Sequence, residues 1–451
     1  MNNNTSPYIV AIEIGSSKIK GAVGQIDATG TLIVKGIEEE RQHPNFVRYG
    51  CVQNVKEVAA ELKRVITKLN NRIAPDEISA VYVAVGGRSL KTSPAILNLS
   101  LSTDTEVTNE IVDNLLDRAR VDSPDMELLE VEPTEFQVDG KNQGVDPVGV
   151  MGHDITAKVN LVSCRSQLLR NLQLAVTDKL TLNINDYVVR PMALADLVLT
   201  NDEKRLGVML VDCGAETTTV TIYKNGVLNY LATLPIGSRH ITRDLTMLLP
   251  YTEERAEELK RAVGTANAME AHRATMDEVD TTQINNIVSA RAAEIITNIN
   301  AQMEYAGVNP SDLPAGVVVV GGGSLLQGFA EELSRVTTLN VRRGTLPANV
   351  KINSSKVATG EDLDVISILY AIAMQDVFDL CTITPKTEQN FMAGDQTFEP
   401  ETDNADEEDF EDEDEEIIEG KTPKRIFAKW LGKISGALKP NDNLGDDFDE
   451  E

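Results

Sequence analysis

Cysteine, histidine and aromatic residues are all scarce in this chain: four Cys, four His and one Trp among 451 residues, with Phe, Tyr and Trp together at 4%. Cys51, Cys164, Cys213 and Cys381 are scattered without CxxC spacing, and His43, His153, His240 and His272 are equally dispersed. That pattern argues against a disulfide framework and against a structural zinc site. The polar, uncharged Met1 to Pro7 leads into a first apolar stretch, Tyr8 to Ile14, too short for a signal sequence or a membrane span, so export is not expected. Basic residues are also in deficit. The formal net charge of -29 repels nucleic acid, whose binding depends on Lys and Arg neutralising phosphates, so no nucleic-acid partner is expected. About half of that charge lies beyond Asp395, which leaves the preceding body only moderately acidic.

What is present divides the chain. An apolar content of 41% over this length is ample for a two-lobed body, or for two to four subdomains around separate cores. Up to about Thr384, β-rich runs alternate with helical patterns, whereas Phe398 to Gly420 is nearly all carboxylate and should be disordered and extended by self-repulsion. In the following KTPKRIFAKWLGKISGALKP, Thr422 can serve as N-cap and Pro423 as the first helical residue. Ile426, Phe427, Trp430, Leu431, Ile434 and Leu438 then recur at helical spacing, with Lys424, Arg425, Lys429 and Lys433 mainly on the flanks and opposite face. Such a basic amphipathic helix suits an anionic bilayer surface, each nearby cation gaining about 1 kcal/mol. The same pattern suits docking to another protein. Gly432 and Gly436 each weaken it in water by roughly 1 kcal/mol, so it should fold mainly on binding.

One pattern occurs twice in the body: a strand, an acid-x-Gly turn with hydroxyl residues, a second strand, a tight turn and a third strand. The copies are YIVAIEIGSSKIKGAVGQIDATGTLIVKGIEE and LGVMLVDCGAETTTVTIYKNGVLNYLATLPIG. Two such units suggest a duplicated architecture with a cleft between paired lobes. At each strand end, N–H groups of the Gly turn can point at a phosphate. Glu13 and Asp212 would then face one another across the cleft and hold Mg2+ through its waters while the metal bridges the phosphates. Ser16, Ser17, Thr217 and Thr218 add hydroxyls, and Lys18 and Lys20 share one face of the outgoing strand. In GVVVVGGGSLLQGFAEEL, strand Val317 to Val320 runs into Gly321, Gly322 and Gly323, then a helix expected to start near Ser324; the glycines permit close approach to a flat nucleoside.

In this order the three pieces resemble the phosphate-1, phosphate-2 and adenosine motifs of the actin, Hsp70 and sugar-kinase superfamily. Within it, AVYVAVGGRSLKTS, EFQVDGKNQGVDPVGVMGHDITAKVNLVSCRSQLLRNL and PIGSRHITRDL resemble segments of the FtsA family, over roughly residues 8 to 384. The resemblance implies an α/β, two-lobed actin-like ATPase fold with an FtsA-type 1C subdomain, followed by a disordered acidic linker and an amphipathic helix. It implies subdomain 1A at 1–84 and 163–200, 1C at 85–162, 2A at 201–238 and 305–385, and 2B at 239–304. The acidic linker is expected at 386–420, the membrane-targeting helix at 421–440 and an acidic tail at 441–451. By the same carry-over Glu13, Gly15, Ser16 and Ser17 match phosphate-1, Lys20 takes the spacing of a phosphate-binding lysine, and Asp212, Gly214, Thr217 and Thr218 match phosphate-2. Gly321, Gly322, Gly323 and Ser324 match the adenosine motif, with Lys260 where 2B helps close the adenine pocket.

The function implied is an ATP- and Mg2+-binding cell-division protein at the cytoplasmic face of the inner membrane. It would form filaments with itself, tether FtsZ through 2B, recruit later division proteins, and bind anionic lipids through Arg425, Ile426, Phe427, Lys429, Trp430, Leu431, Lys433, Ile434 and Leu438. A PilM-like pilus-assembly adaptor and an ATP-dependent enzyme or chaperone of the same superfamily are the alternatives. Ala215 and Glu216 stand where relatives usually have Gly or smaller side chains, and Thr219 replaces a frequent Asp. A carboxylate at Glu216 would repel phosphates unless it points away or joins the metal shell. No residue announces itself as a general base, so slow or negligible hydrolysis is expected.

Overall fold

The two duplicated units fold as two antiparallel β-meanders, one in each of two sheets. The computed structural model describes residues 8–120, 123–267, 280–353 and 360–384; the acidic linker and the amphipathic tail helix lie outside them. In the first unit Ile9–Ile14 pairs with Lys18–Ile26, which pairs with Leu32–Arg41. In the second, Val208–Cys213 pairs with Thr218–Lys224, which pairs with Val227–Leu234. The turn chemistry is what the sequence required: Asn225 at φ 56 and Gly226 at φ 84 are both left-handed, the pair of conformations a two-residue type I′ hairpin turn demands.

Each meander is extended on its leading strand by a parallel neighbour, Ala80–Val85 beside Ile9–Ile14 and Val317–Val320 beside Val208–Cys213. These four strands are buried at every residue, which is why they read as continuous apolar runs rather than alternating ones. The first sheet runs Asn183–Val189, Ala80–Val85, Ile9–Ile14, Lys18–Ile26, Leu32–Arg41, Val350–Ile352. Helices Val55–Ile73, Arg190–Val198 and Leu363–Ala373 pack on it around one large core. On the second sheet, Ser238–Leu248, Glu253–Val263, Thr281–Tyr305 and Phe329–Thr337 enclose a second core that includes Val211, Ile222, Ile241, Ile295 and Phe329.

A third module lies between the lobes in sequence. Long strands Lys91–Glu106, Met126–Val138 and Met151–Arg165, with helix Asn109–Asp117, surround their own core of Val112, Leu115, Leu116, Phe136 and Ile155. It joins the second sheet at its edge: Lys91 pairs with Ala232, and Asn160 Nδ2 donates to the Leu228 and Asn229 carbonyls at 2.9 and 3.0 Å. Among the described residues, no helix is long and apolar enough to cross a membrane.

Candidate functional site

The turns that close the two meanders are built alike. Gly15 N donates to Lys18 O and Gly214 N donates to Thr217 O, each at 2.9 Å. A Cβ on Gly15 would sit 3.0 Å from Lys18 O, and one on Gly214 the same distance from Thr217 O. Glycine is therefore needed at both turns for the same reason, close backbone approach.

Both turns open on one cleft of about 760 Å³, lined also by Lys18, Lys20, Arg190, Lys260, Gly321, Gly322 and Gly323. The expected residues Glu13, Gly15, Ser16, Ser17, Gly214 and Thr217 are brought together there, although Glu13 and Gly214 are two hundred residues apart in sequence. Gly321, at φ +82, turns the chain out of strand Val317–Val320; its Cβ would meet Asp212 Oδ1 and Cys213 O, each at 2.5 Å. The segment after it is a 3-10 turn, Gly322–Leu325, and the α-helix begins only at Phe329 rather than near Ser324.

Two expected hydroxyls do not face the cleft. Thr218 Oγ1 donates to Ile236 O at 2.8 Å and Ser324 Oγ to Gly321 O at 2.8 Å, so both are spent on the backbone and neither lines the cavity. Thr219, buried, pairs its hydroxyl with Thr233 at 3.1 Å. Lys18 and Lys20 share a face as strand alternation requires, and both reach the segment before helix Leu363–Ala373: Lys18 bonds Glu361 at 2.8 Å, and Lys20 bonds the Glu361 carbonyl with Asp362 at 4.0 Å. Lys260 is held by Glu257 at 2.6 Å, Thr242 at 3.1 Å and the Ser238 carbonyl at 3.2 Å. Burial works against the Lys260 charge and lowers its pKa, while Glu257, itself penalised by burial but held by Lys260, Thr242 and Arg261, drops to about 2.

Glu216 borders the cleft with its carboxylate already engaged. Its fully buried carboxylate accepts from Tyr49 N at 2.8 Å and pairs with Arg48 at 3.3 Å, Arg239 at 3.6 Å and Arg243. Arg48 and Tyr49 belong to the first lobe and the others to the second, so Glu216 ties the lobes together. Arg239 adds a second tie, donating to Ser16 O at 2.9 Å.

The floor departs from expectation. Glu13 and Asp212 do not form an open carboxylate pair for Mg2+, because the Arg190 guanidinium lies between them, 3.3 Å from Glu13 Oε1 and 2.7 Å from Asp212 Oδ2. Asp364 stands 3.8 Å away on the same guanidinium. Burial, with Asp364 adding to it, pushes Glu13 up to about 7; burial likewise pushes Asp212 up to about 6 against the pull of Arg190. Burial opposes the Arg190 charge, but Asp212, Asp364 and Glu13 outweigh it and raise its pKa. Sequence reasoning passed over Arg190; its one signal is a lone arginine inside the apolar run VVRPMALADLVL, where strand Asn183–Val189 meets helix Arg190–Val198. Glu361 and Asp364, which follow the undescribed 354–359, carried no local signal at all.

The chain is similar to known proteins. Residues 209–361 match the family model described as cell division protein FtsA, and 87–163 match that of an SHS2 domain inserted in FtsA. The cell division protein FtsA of Porphyromonas gingivalis is 31% identical over 74% of this chain and 72% of its own length. FtsA of Pseudomonas aeruginosa is 29% identical over 76% of this chain and 84% of its own, and that of Bacillus subtilis 27% over 80% and 83%. Among solved structures, the PilM-PilN type IV pilus biogenesis complex contains a chain that aligns with TM-score 0.56 over 81% of this chain and 96% of that one. At 17% identity this likeness bears on the fold alone.

Proposed function

Since the chain belongs to the FtsA family of cell-division proteins, we propose that its cleft binds ATP and that its body polymerises at the inner membrane, tethering FtsZ there and recruiting later division proteins. The observation that carries the nucleotide reading is the convergence of both meander turns and the Gly321–Gly323 turn on one cleft. Phosphates would lie along Gly15, Ser16 and Ser17 on one side and Gly214 and Thr217 on the other, with Lys20 as their lysine. The nucleoside would rest on Gly321, Gly322 and Gly323, with Lys260 beside it.

Turnover is slow in this reading. Among the described residues, the Glu13 carboxyl at the cleft floor is engaged by the Arg190 guanidinium at 3.3 Å, and that guanidinium cannot itself accept a proton from an attacking water. The nucleotide then acts as a switch for assembly rather than as a consumed substrate. A turnover of metabolic-kinase size, on the order of 1 to 100 per second, would overturn this.

The subdomain division expected from the sequence is retained, with 239–304 as 2B and as the FtsZ-facing part. Membrane attachment is assigned to the helix from Arg425 to Leu438. One such helix is a marginal anchor, but a filament presents many, so polymerisation raises avidity without new contacts. The test is sedimentation with anionic liposomes of the intact chain and of one ending at Gly420, with and without ATP. Loss of binding on truncation, with ATP-dependent cosedimentation of the intact chain, is the expected result. Equal behaviour of both would make the helix a protein-docking element and sink the membrane half of the proposal.

A further inference from the structure

A water-mediated Mg2+ resting on Glu13 and Asp212 needs an open, near-octahedral shell reaching both carboxylates, since this ion takes ligands at about 2.0–2.1 Å and keeps several waters. That shell is filled. Arg190 spans the two acids at 3.3 and 2.7 Å, and Asp212, 3% exposed, is screened behind it and does not line the cleft. Among the described residues its Oδ1 has no hydrogen-bond partner, and it lies 2.5 Å from where a Cβ on Gly321 would sit. The residues present therefore do not fit the metal.

Several features hold the guanidinium where it is. Pro191, the next residue, fixes the start of helix Arg190–Val198. Gly86, at the end of strand Ala80–Val85, leaves the room: a Cβ there would press on Arg190 Nε at 3.3 Å. Three carboxylates, from strands Ile9–Ile14 and Val208–Cys213 and from helix Leu363–Ala373, face it. Of its four terminal N–H hydrogens, one bonds Glu13 and one Asp212, and its side chain lines the cleft beside the Gly15 turn. A planar fork with unspent donors is suited to phosphate oxygens.

We propose that Arg190 is the resident cation of this cleft: it takes the place of a divalent ion between Glu13 and Asp212, and nucleoside phosphates bind to its guanidinium together with Lys20. This deepens the ATP reading and rests on it. The family's phosphate turns are retained, but the charge that bridges the lobes and meets the phosphates is supplied by the chain itself. Nucleotide affinity then does not depend on free Mg2+.

Two measurements on the full chain test this. The first is the affinity for a fluorescent ATP analogue in EDTA and in Mg2+. The second is a nucleotide-free Mn2+ titration read by electron paramagnetic resonance, in which the cleft site is defined as one abolished by Asp212→Asn. For the natural chain we expect affinities within about threefold of each other in the two buffers, and no cleft Mn2+ site. In Arg190→Gln we expect loss of affinity in EDTA by about tenfold or more, partly restored by Mg2+, and a new cleft Mn2+ site. Arg190→Lys, which keeps the charge but not the fork, should stay indifferent to EDTA while binding more weakly, and serves if the glutamine variant fails to fold. A loss of about tenfold or more in EDTA for the natural chain, or a cleft Mn2+ site in it, overturns the proposal. Absence of nucleotide binding in both buffers would overturn the ATP reading and the phosphate role of Arg190, while the Mn2+ titration would still decide whether Arg190 replaces the metal.

Discussion

Glu216 shows how a residue that looks hostile to nucleotide becomes a structural tie once its neighbours are known. Its fully buried carboxylate is shared by Tyr49 N and three arginines, and neutralising it strands Arg48, Arg239 and Arg243 against one another. Glu216→Gln should therefore lower stability by about 3–5 kcal/mol, read as a shift in the urea midpoint with the slope unchanged. A surface-like effect below about 1 kcal/mol would mean the cluster is not formed in solution. Glu13 gives a second residue-scale test. Its carboxyl, pushed by burial from 4.5 up to about 7, keeps its proton in the folded chain at pH values where the unfolded chain has lost it. Stability should then fall as pH rises through that window, by up to about 1.4 kcal/mol per unit, and level off above it. Asp212, raised to about 6, adds a slope of the same sign, so Glu13→Gln should remove part of the pH dependence between pH 5 and 7.5 and not all of it. Identical slopes in the two proteins would contradict the burial argument. Neither behaviour could be read from sequence. Arg190 lies 177 residues from Glu13, and only the order of the first sheet, with Ala80–Val85 between Asn183–Val189 and Ile9–Ile14, brings them together.

Whole elements were far more legible, because their determinants are local. The two meanders follow from apolar strands and from turns such as Asn225-Gly226 that permit few conformations. The segment after Gly321–Gly323 is less legible: Gly328 at φ 73 stands before the helix, which starts at Phe329, a tertiary outcome that an apolar pattern does not encode. The docking of the third module on the edge of strand Val227–Leu234 is equally hidden, since one cross-strand pair and the Thr92 and Asn160 side chains carry it. An element-scale prediction concerns the helix that follows the second meander. Ser238 N bonds Gly214 O at 3.0 Å and Arg239 N bonds Ala215 O at 2.7 Å, so the start of helix Ser238–Leu248 clamps the Gly214–Thr217 turn. A Cβ on Gly237 would come within 2.7 Å of both carbonyls and must push the turn away. Gly237→Ala should weaken binding of an ATP analogue by about tenfold, roughly 1.4 kcal/mol, with the far-ultraviolet circular dichroism preserved. Unaltered affinity would show that this turn does not touch the ligand.

At the scale of the whole molecule, charge is segregated along the chain: a moderately acidic body, a run of carboxylates, then a basic apolar segment. If the tail attaches to the membrane as proposed, carboxylates tethered next to Lys424, Arg425, Lys429 and Lys433 compete with anionic lipid for the same cations, and like-charge repulsion between the run and the bilayer acts in the same direction. Both effects are long-range and screened by salt, over about 10 Å at 0.1 M ionic strength. Deleting Glu399 to Glu419 should therefore strengthen sedimentation with anionic liposomes at low salt, and the gain should shrink as salt is raised, because apolar burial by Phe427, Trp430 and Leu431 is not screened. Replacing the same stretch by a Gly/Ser sequence of equal length separates charge from spacing: it should reproduce the gain if competition for cations is the cause. If the deletion and the replacement both leave binding unchanged at low salt, the charge of the run does not act on membrane binding and the run is a mere spacer.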